Sequence, residues 1–206
     1  MINTINEIPV PDFTLTRFGQ IGKSSIRLGR FSYGFENVSI RQWGEGAALN
    51  IGSFCSIAGV SFVLGGNHRT EWITTYPFGS VDGQKEYLWG GGLENHCYTN
   101  GDINVGNDVW LGNNCTIMSG VSIGDGACVA ANSHVVKDVG PYEVIGGNPA
   151  KFIRRRFNIE IIDQLLLLRW WDLPLEDIKN LINDLGREPT LISVIGMVNK
   201  YRSSQP

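Results

Sequence analysis

An aliphatic residue recurs every six positions along two separate stretches of the chain. The units IGSFCS, IAGVSF and VLGGNH run from Ile51, and six more run from Val105, each opening with Ile, Val or Leu. A period of six would spread these side chains around the whole surface of an α-helix. It suits a short strand followed by a turn, and stacking such rungs buries the aliphatic column. The pattern predicts a solenoid of β-strands. The alternative, a β-sandwich, requires nine units to share a phase by chance.

Glycine follows the aliphatic residue in several of these units, as at Gly52, Gly106 and Gly112, and the chain has 26 glycines in all. Because glycine adopts backbone angles that other residues avoid, we expect these glycines to form the corners of the solenoid. There is no Gly-X-Y period, which excludes collagen. The fragment LGRFSY, from Leu28, reads as an earlier and degenerate unit.

Helical spacing replaces the period of six near the C-terminus. NIEIIDQLLLLRWW has apolar residues three and four apart and begins with Asn158 as a candidate N-cap. Pro174 opens a second run, PLEDIKNLINDL, which Gly186 would end. The later stretch LISVIGMV fits a short helix or a strand. We expect residues 1–157 to form the repeat domain and residues 158–206 a helical cap that covers its open end.

Residues 69–104 lack the period, and this interruption is rich in aromatic side chains such as Trp72 and Trp89. Long loops in compact folds are usually functional or disordered, and this composition argues against disorder. We expect the loop to fold back and wall a cleft. His68 stands where the last regular unit ends, so a rigid rung would hold its imidazole ready to take a proton. A loop histidine without chemistry is the alternative.

Composition excludes several classes of protein. The 206 residues carry a formal net charge of -3, which provides no overall field for binding nucleic acid. We find no run of about 20 apolar residues for a membrane span and no N-terminal signal-peptide pattern. The four cysteines lack CxxC or zinc spacing. We therefore expect them to be small core side chains in a protein of the reducing cytoplasm, and we expect no metal site.

Three motifs, in this order, resemble the xenobiotic acetyltransferase group of hexapeptide-repeat acyltransferases, which includes chloramphenicol and streptogramin acetyltransferases. They are GGNHRTEWITTYPF from Gly65, GNDVWLG from Gly106 and IGGNPAKFIRRRF from Ile145. The resemblance implies a mainly β fold: a left-handed parallel β-helix, three hexapeptides to a coil, with a protruding loop and a C-terminal α-helical cap. It also implies a homotrimer with its catalytic clefts between subunits.

The same resemblance assigns roles to individual residues. His68 matches the family's general base, which deprotonates an acceptor hydroxyl for attack on the thioester of acetyl-CoA. Six residues match cofactor-side positions: Trp110, Asn113, Ala131, Lys137, Lys151 and Arg154. Positive charge at Lys137, Lys151 and the arginines at 154–156 would suit the phosphates of CoA.

The acceptor is less closely defined. Tyr33, Tyr76 and His96 are the candidate acceptor contacts; Tyr33 precedes the first full unit, and the other two lie in the interruption. We expect O-acetylation of a sugar, of a polysaccharide unit or of an antibiotic such as chloramphenicol or a streptogramin. A sugar-nucleotide N-acetyltransferase and a non-catalytic β-helix binding protein are the alternatives. The sequence contains no evident Ser/His/Asp or Cys/His arrangement, which favours direct transfer over a covalent acyl-enzyme.

Overall fold

A computed structural model describes residues 13–79 and 89–202 of the chain. Short strands dominate this part of the molecule, followed by three helices. The strands are β1 Arg17–Ile21, β2 Ser24–Leu28, β3 Ser39–Arg41, β4 Leu49–Ile51, β5 Ser56–Ile57, β6 Ser61–Val63, β7 Asn67–His68, β8 Cys97–Tyr98, β9 Ile103–Val105, β10 Trp110–Leu111, β11 Thr116–Met118, β12 Ser122–Ile123, β13 Cys128–Val129, β14 His134–Val135, β15 Glu143–Gly146 and β16 Lys151–Arg155. The helices are α1 Ile159–Leu168, α2 Leu175–Leu185 and α3 Leu191–Arg202. None of the helices in these two ranges has the length and apolar character needed to cross a bilayer.

The strands of the solenoid are divided among three sheets, and the strand orders show how the chain winds. The first face has the order β1-β2-β4-β9-β12, the second face β16-β15-β13-β10-β5, and the third face β14-β11-β6-β3. Consecutive strands such as β4, β5 and β6 therefore belong to the first, second and third faces in turn. Strands of neighbouring coils pair in parallel. The chain thus forms the parallel β-helix that the period of six predicts.

One full coil takes three of the six-residue units. Asn114 donates to the side chain of Asn132 in the next coil, 18 positions further along the chain, at 2.9 Å. The inward positions of these coils are the aliphatic ones, and eight of them are buried: Ile51, Ile57, Val105, Leu111, Ile117, Ile123, Val129 and Val135. Burial of this column supplies the main stabilising free energy of the solenoid.

The inward position slips by one residue just before the interruption. The six-residue frame assigns Val63 to the core, but Phe62 is 0% exposed and Val63 is half-buried. Phe62 pairs with the buried Ile117 of the next coil, so the two occupy equivalent places. The corner between Ile57 and Phe62 is one residue shorter than the corner between Leu111 and Ile117. The frame is therefore wrong for the unit that begins at Val63.

The corners also differ from the sequence expectation. Left-handed backbone angles occur at Asn114 (φ 60°) and Asn132 (φ 59°), whereas Gly112 lies outside that region. Asparagine tolerates this conformation better than most residues because its short polar side chain can bond locally. A Cβ added to Gly112 would lie 2.7 Å from the backbone nitrogen of Ala131. Close stacking of the coils, rather than the corner angle, requires this glycine.

The fragment from Leu28 is a genuine first coil. Leu28 pairs with Ile51 on the first face, and Tyr33 forms a parallel bridge with Ser56 on the second. β3 then pairs with β6 on the third face. The prediction of an early degenerate unit is confirmed, and the corner that leads from β3 to β4 is longer than the matching corner between β11 and β12.

Extended segments, rather than helices, close the ends of the solenoid. β1 pairs antiparallel with β2 in the first coil, and β16 pairs antiparallel with β15 in the last. On the third face, the backbone N–H of His134 donates to the carbonyl of Gly147 at 2.9 Å. An open strand edge presents free N–H and C=O groups, which another extended segment satisfies and a helix does not. The expectation that the helical cap covers the open end is therefore wrong.

The cap helices start and stop near the predicted signals. The side chain of Asn158 accepts a hydrogen bond from the backbone N–H of Ile161 at 3.0 Å, which caps α1. α2 follows Pro174 and ends at Leu185, with Gly186 as its C-cap residue. α1 ends earlier than the pattern suggested, at Leu168, because Arg169 adopts a left-handed φ of 41°. The ambiguous LISVIGMV is helical, as part of α3.

The cap lies along one corner of the solenoid. In the early coils, the ring of Phe54 lies 4.6 Å from the ring of Trp170, measured between centroids. Arg30 of the first coil donates to the carbonyl of Leu173 at 2.7 Å. In the last coil, Tyr142 joins the buried residues of α1 in one apolar cluster. The helices therefore bury this corner and leave other parts of the three faces open.

The interruption leaves and rejoins the solenoid at one place. β7 pairs antiparallel with β8, so that His68 is opposite Cys97, and the regular coil resumes at Ile103. Residues 80–88 of the predicted 69–104 loop lie outside the described residues, as do residues 1–12 and 203–206 of the predicted domains. Within the described part, the N–H of Leu93 donates to the carbonyl of Phe78 at 2.9 Å. These contacts show that the loop folds back, as predicted.

Candidate active site

His68 is held in place by the coils on either side of it. The side chain of Glu45, from the preceding coil, accepts from the backbone N–H of Gly66 at 2.7 Å. The amide of Asn67 donates to the hydroxyl of Ser119, from the following coil, at 3.1 Å. Together with the β7–β8 pairing, these bonds fix the backbone from which the imidazole projects.

The imidazole of His68 reaches the loop that starts beside it. Its Nδ1 lies 2.7 Å from the carbonyl oxygen of Thr75, and the residue is exposed. A carbonyl oxygen only accepts hydrogen bonds, so Nδ1 is the protonated nitrogen. The neutral ring then carries its lone pair on Nε2, which is the nitrogen free to accept a proton.

The structure places His96 behind His68. His96 is 1% exposed, and its Nε2 lies 2.9 Å from the same Thr75 carbonyl. The two imidazoles meet edge to face, with 4.9 Å between ring centroids. The expectation that His96 contacts the acceptor is corrected by this burial. Sequence reasoning missed Thr75, because the role of a backbone carbonyl leaves no trace in residue type.

The two candidate tyrosines occupy different places. Tyr76 follows Thr75 directly, is exposed, and packs on Phe78 with 4.8 Å between ring centroids. Tyr33 lies on the second face, where it bridges Ser56 of the next coil. Within one chain, the structure therefore brings Tyr76 close to His68 along the loop and leaves Tyr33 on another surface.

Lys137 and Lys151 line a common groove at the last coil. The groove has a volume of about 290 Å³, and its walls include Val135, Ile145 and Phe152. Lys137 comes from the turn after β14, and Lys151 begins β16. Residues 14 positions apart thus present two ammonium groups to one surface, with apolar side chains between them.

Two carboxylates also line this groove, but backbone donors occupy them. Asp138 accepts from the N–H of Ser122 at 2.8 Å, and Glu143 accepts from the N–H of Gly140 at 3.0 Å. Neither lysine forms an ion pair with any residue in the described ranges. The groove therefore presents two ammonium groups that form no ion pair with the described side chains, and each can reach a ligand phosphate while both carboxylates are hydrogen-bonded to the backbone.

The other four cofactor-side candidates are spread over neighbouring surfaces. Trp110, 57% exposed, pairs with Ser56 on the second face, in the same column as Tyr33. Arg154 lies on this sheet too, in β16. Asn113 and Ala131 are exposed at the corner that joins the second face to the third. One chain therefore does not gather the six candidates into a single cluster.

The last arginine of the basic run has a structural role. Arg156 forms an ion pair of 3.3 Å with Asp108 and donates to the carbonyl of Gly126 at 2.8 Å. Burial raises the pKa of Asp108, and the nearby Arg156 charge partly offsets that rise. The guanidinium also lies over the ring of Tyr142, 5.3 Å from its centroid. Arg156 thus contacts residues of successive coils at one corner of the solenoid, which corrects the expectation that the whole run faces phosphates.

The thiols show no sign of activation. Burial raises the pKa of Cys55 to about 12, and it raises the pKa of Cys97 beside the two histidines. A thiol with a raised pKa forms little of the reactive thiolate at neutral pH. Across residues 13–79 and 89–202, no group of three or more His, Cys, Asp and Glu side chains is placed to hold a metal ion.

Comparison with known proteins identifies the repeats and the chain as a whole. Residues 102–137 match the family model described as "Bacterial transferase hexapeptide (six repeats)". A "Probable macrolide acetyltransferase" of Lysinibacillus sphaericus is 45% identical over 81% of this chain and 91% of its own length. A "Chloramphenicol acetyltransferase" of Agrobacterium fabrum is 39% identical over 84% of this chain and 87% of its own. A "Virginiamycin A acetyltransferase" of Staphylococcus aureus is 41% identical over 77% of this chain and 76% of its own length.

These matches extend well beyond the repeats. They take in most of this chain and most of each relative, far more than the 36 residues that the family model matches. By these relatives and by its hexapeptide repeats, the chain is a member of the xenobiotic acetyltransferase group of hexapeptide-repeat acyltransferases.

Proposed function

We propose that this protein transfers the acetyl group of acetyl-CoA to a hydroxyl group of a small acceptor, with His68 as general base. The observation that carries the proposal is the 2.7 Å contact between His68 Nδ1 and the carbonyl of Thr75. It fixes the tautomer in which Nε2 can accept a proton, and it holds the ring in one orientation at an exposed position.

The reaction divides into two proton transfers through one nitrogen. Nε2 of His68 removes the proton of the acceptor hydroxyl as its oxygen attacks the carbonyl carbon of the thioester. The C–S bond then breaks, and the imidazolium returns the proton to the departing thiolate. The products are the acetyl ester and CoA with a free thiol, and His68 ends in its starting state. The raised pKa values of Cys55 and Cys97 support this direct route over one through a cysteine.

The groove of Lys137 and Lys151 is the place proposed for phosphates of CoA. Two ammonium groups without protein partners face it among the described residues, and the apolar wall includes Phe152. Trp110, Asn113, Ala131 and Arg154 are proposed as further contacts along the pantetheine and nucleotide. Strand spacing of about 4.8 Å places His68, on the second coil, roughly 10 Å along the axis from the Lys137 corner two coils later. An extended pantetheine arm can span that rise.

The candidate site residues lie on different surfaces of one chain, and a site that is completed by a second copy of the chain accounts for this. Trp110 and Tyr33 lie on the second face, whereas His68 and Lys137 lie at corners of the third. We therefore include in the proposal a homotrimer, in which neighbouring copies bring such surfaces together. The left-handed winding of the coil belongs to the same proposal, through membership of the family. Sedimentation of the protein as a monomer at micromolar concentration would contradict the trimer.

The acceptor is proposed to be a hydroxyl-bearing antibiotic of the chloramphenicol or streptogramin type. Relatives spanning most of this chain are named for chloramphenicol, virginiamycin A and macrolides. Tyr76, exposed and next to Thr75, is the proposed acceptor contact on the loop. Tyr33 would reach the acceptor only from a neighbouring copy.

The test is turnover by a His68→Ala variant, followed as release of the CoA thiol. We would offer chloramphenicol, virginiamycin A, a macrolide, simple sugars and amino-sugar nucleotides as acceptors. Loss of the base should lower kcat by about 10²- to 10⁴-fold, with little change in the KM for acetyl-CoA. His134→Gln is the matched control, because His134 lies in β14, away from the loop. Turnover at the wild-type rate in His68→Ala would overturn the assignment, and activity on amino-sugar nucleotides alone would make the protein an N-acetyltransferase.

A further inference from the structure

His96 is a buried polar residue whose position next to His68 calls for an explanation. It is 1% exposed, and its imidazole meets the ring of Trp72 edge to face, with 5.8 Å between ring centroids. Its Nε2 lies 2.9 Å from the carbonyl of Thr75. A buried imidazole is costly unless it is hydrogen-bonded, and this bond satisfies one of its nitrogens.

The shared carbonyl fixes the tautomers of both histidines. Thr75 O has two lone pairs, one for His68 Nδ1 at 2.7 Å and one for His96 Nε2 at 2.9 Å. Both of these nitrogens must carry hydrogen. His96 is then the Nε2–H tautomer, and its Nδ1 faces the Sγ of Cys97 at 3.4 Å, where a thiol can act as a weak donor. The two rings therefore have opposite tautomers set by one oxygen atom.

The position of the Thr75 carbonyl depends on these two bonds. Among the described residues, the hydrogen bonds that join residues 73–76 to any residue beyond the neighbouring Phe78 are the two at Thr75 O. The remaining bonds of this segment are local, such as that from the Tyr76 N–H to the Thr74 hydroxyl at 3.1 Å. Ile73 is fully exposed, so packing adds little at this point. Without His96, residues 73–76 would keep only one of these two hydrogen bonds, the one to His68.

We propose that His96 is a positioning residue: it anchors the Thr75 carbonyl, and that carbonyl keeps His68 in the Nδ1–H tautomer with Nε2 directed at the acceptor. The inference rests on the proposed role of His68 as base. The two histidines then have different roles. The exposed His68 exchanges the proton with the acceptor, and the buried His96 holds the Thr75 carbonyl that accepts the hydrogen bond of His68. A base that is misplaced by about 1 Å can lose on the order of 10²-fold in rate.

Three substitutions of His96 test whether its side chain acts by donating a hydrogen bond or only by filling space. His96→Gln keeps an N–H donor at the end of a side chain long enough to reach Thr75 O. His96→Leu has similar bulk without a donor, and His96→Asn keeps the amide on a shorter side chain. We expect His96→Gln to retain most of the activity, and His96→Leu and His96→Asn to lose on the order of 10- to 100-fold in kcat. The KM for acetyl-CoA should be unchanged in all three.

The decisive measurement is the tautomer of His68, read from long-range ¹H–¹⁵N NMR spectra of protein labelled with ¹⁵N-histidine. The chain has only three histidines, so single substitutions at His68, His96 and His134 assign every signal. Wild type and His96→Gln should show His68 as Nδ1–H, and His96→Leu and His96→Asn should show a mixture with Nε2–H. The thermal midpoint of each variant establishes that it is folded.

The outcomes distinguish this inference from the proposed function. If His68 keeps a single Nδ1–H tautomer in both folded variants, His96→Leu and His96→Asn, then His96 has no positioning role, whatever its effect on rate. If the tautomer changes as expected but His68→Ala retains turnover, the coupling between the histidines stands and the assignment of His68 as base is wrong.

Discussion

The one-residue slip at Phe62 can be tested by substitution. The six-residue frame places Val63 in the core, whereas the structure places Phe62 there, so the two predict opposite orders of destabilisation. Phe62 is 0% exposed and pairs with Ile117, whereas Val63 is half-buried. Truncating a fully buried Phe to Ala costs about 3–5 kcal/mol, from lost transfer free energy and the cavity left behind. Val63→Ala changes an outward strand position and should cost about 1 kcal/mol or less.

These costs correspond to clearly different thermal shifts. For a protein of about 200 residues, 1 kcal/mol lowers the unfolding midpoint by about 2–4 °C. Phe62→Ala should therefore lower it by about 6–20 °C, and Val63→Ala by no more than about 4 °C. The free energies themselves come from denaturant unfolding followed by circular dichroism, with protein concentration held fixed in case subunits associate.

Matched positions in the next coil serve as controls. Ile117→Ala removes the buried partner of Phe62 and should cost about 2–5 kcal/mol, whereas Met118, the partner of Val63, is half-buried. The reasoning would be refuted if Val63→Ala destabilised the protein more than Phe62→Ala. That result would mean that the period of six continues unbroken to the interruption, with Val63 in the core.

Three further predictions concern the groove, the cap and the thiols. Lys137→Ala and Lys151→Ala should each raise the KM for acetyl-CoA about tenfold with kcat preserved, since one charged contact is worth about 1.4 kcal/mol; an unchanged KM in the double variant would place the phosphates elsewhere. Asn158→Ala should lower the free energy of unfolding by about 1 kcal/mol, because the Ile161 N–H loses its acceptor, while Asn158→Ser should restore most of it. The Cys55 thiol, with a pKa raised to about 12, should resist alkylation at pH 8 until the protein unfolds, as mapped by mass spectrometry, and its labelling at the rate of the half-buried Cys128 would contradict its burial. Because the protonated form is favoured in the folded state, the stability that Cys55 contributes is present below about pH 9 and is lost as the pH rises towards 12.

How far the sequence predicts this molecule depends on whether a feature repeats. The inward aliphatic residue recurs in every coil and packs against its own equivalents, so Leu111, Ile117 and Ile123 could be assigned to the core from spacing alone. The cap helices were predictable for a similar reason, since Asn158 and Pro174 act on the backbone next to them. His68 was found because a motif places it where the period stops.

The features that the sequence did not predict depend on contacts between distant residues. A corner shortened by one residue shifts Phe62 into the core, and only the pairing with Ile117 shows the shift. Arg156 looks like its neighbours in the basic run until Asp108 is brought beside it by the winding of the coils. The cap lies along a corner while β1 and β16 pair with the terminal strands, and both arrangements depend on residues far apart in the sequence.

The sequence by itself determined the period, most of the core and the histidine at the start of the interruption, because each depends on a type of residue at a fixed spacing. Only the tertiary structure decided what that histidine is bonded to. The path of the loop brings the Thr75 carbonyl back to His68 and His96, and a backbone oxygen is present at every residue of the chain. Its role comes from where folding places it, and no residue type encodes that position.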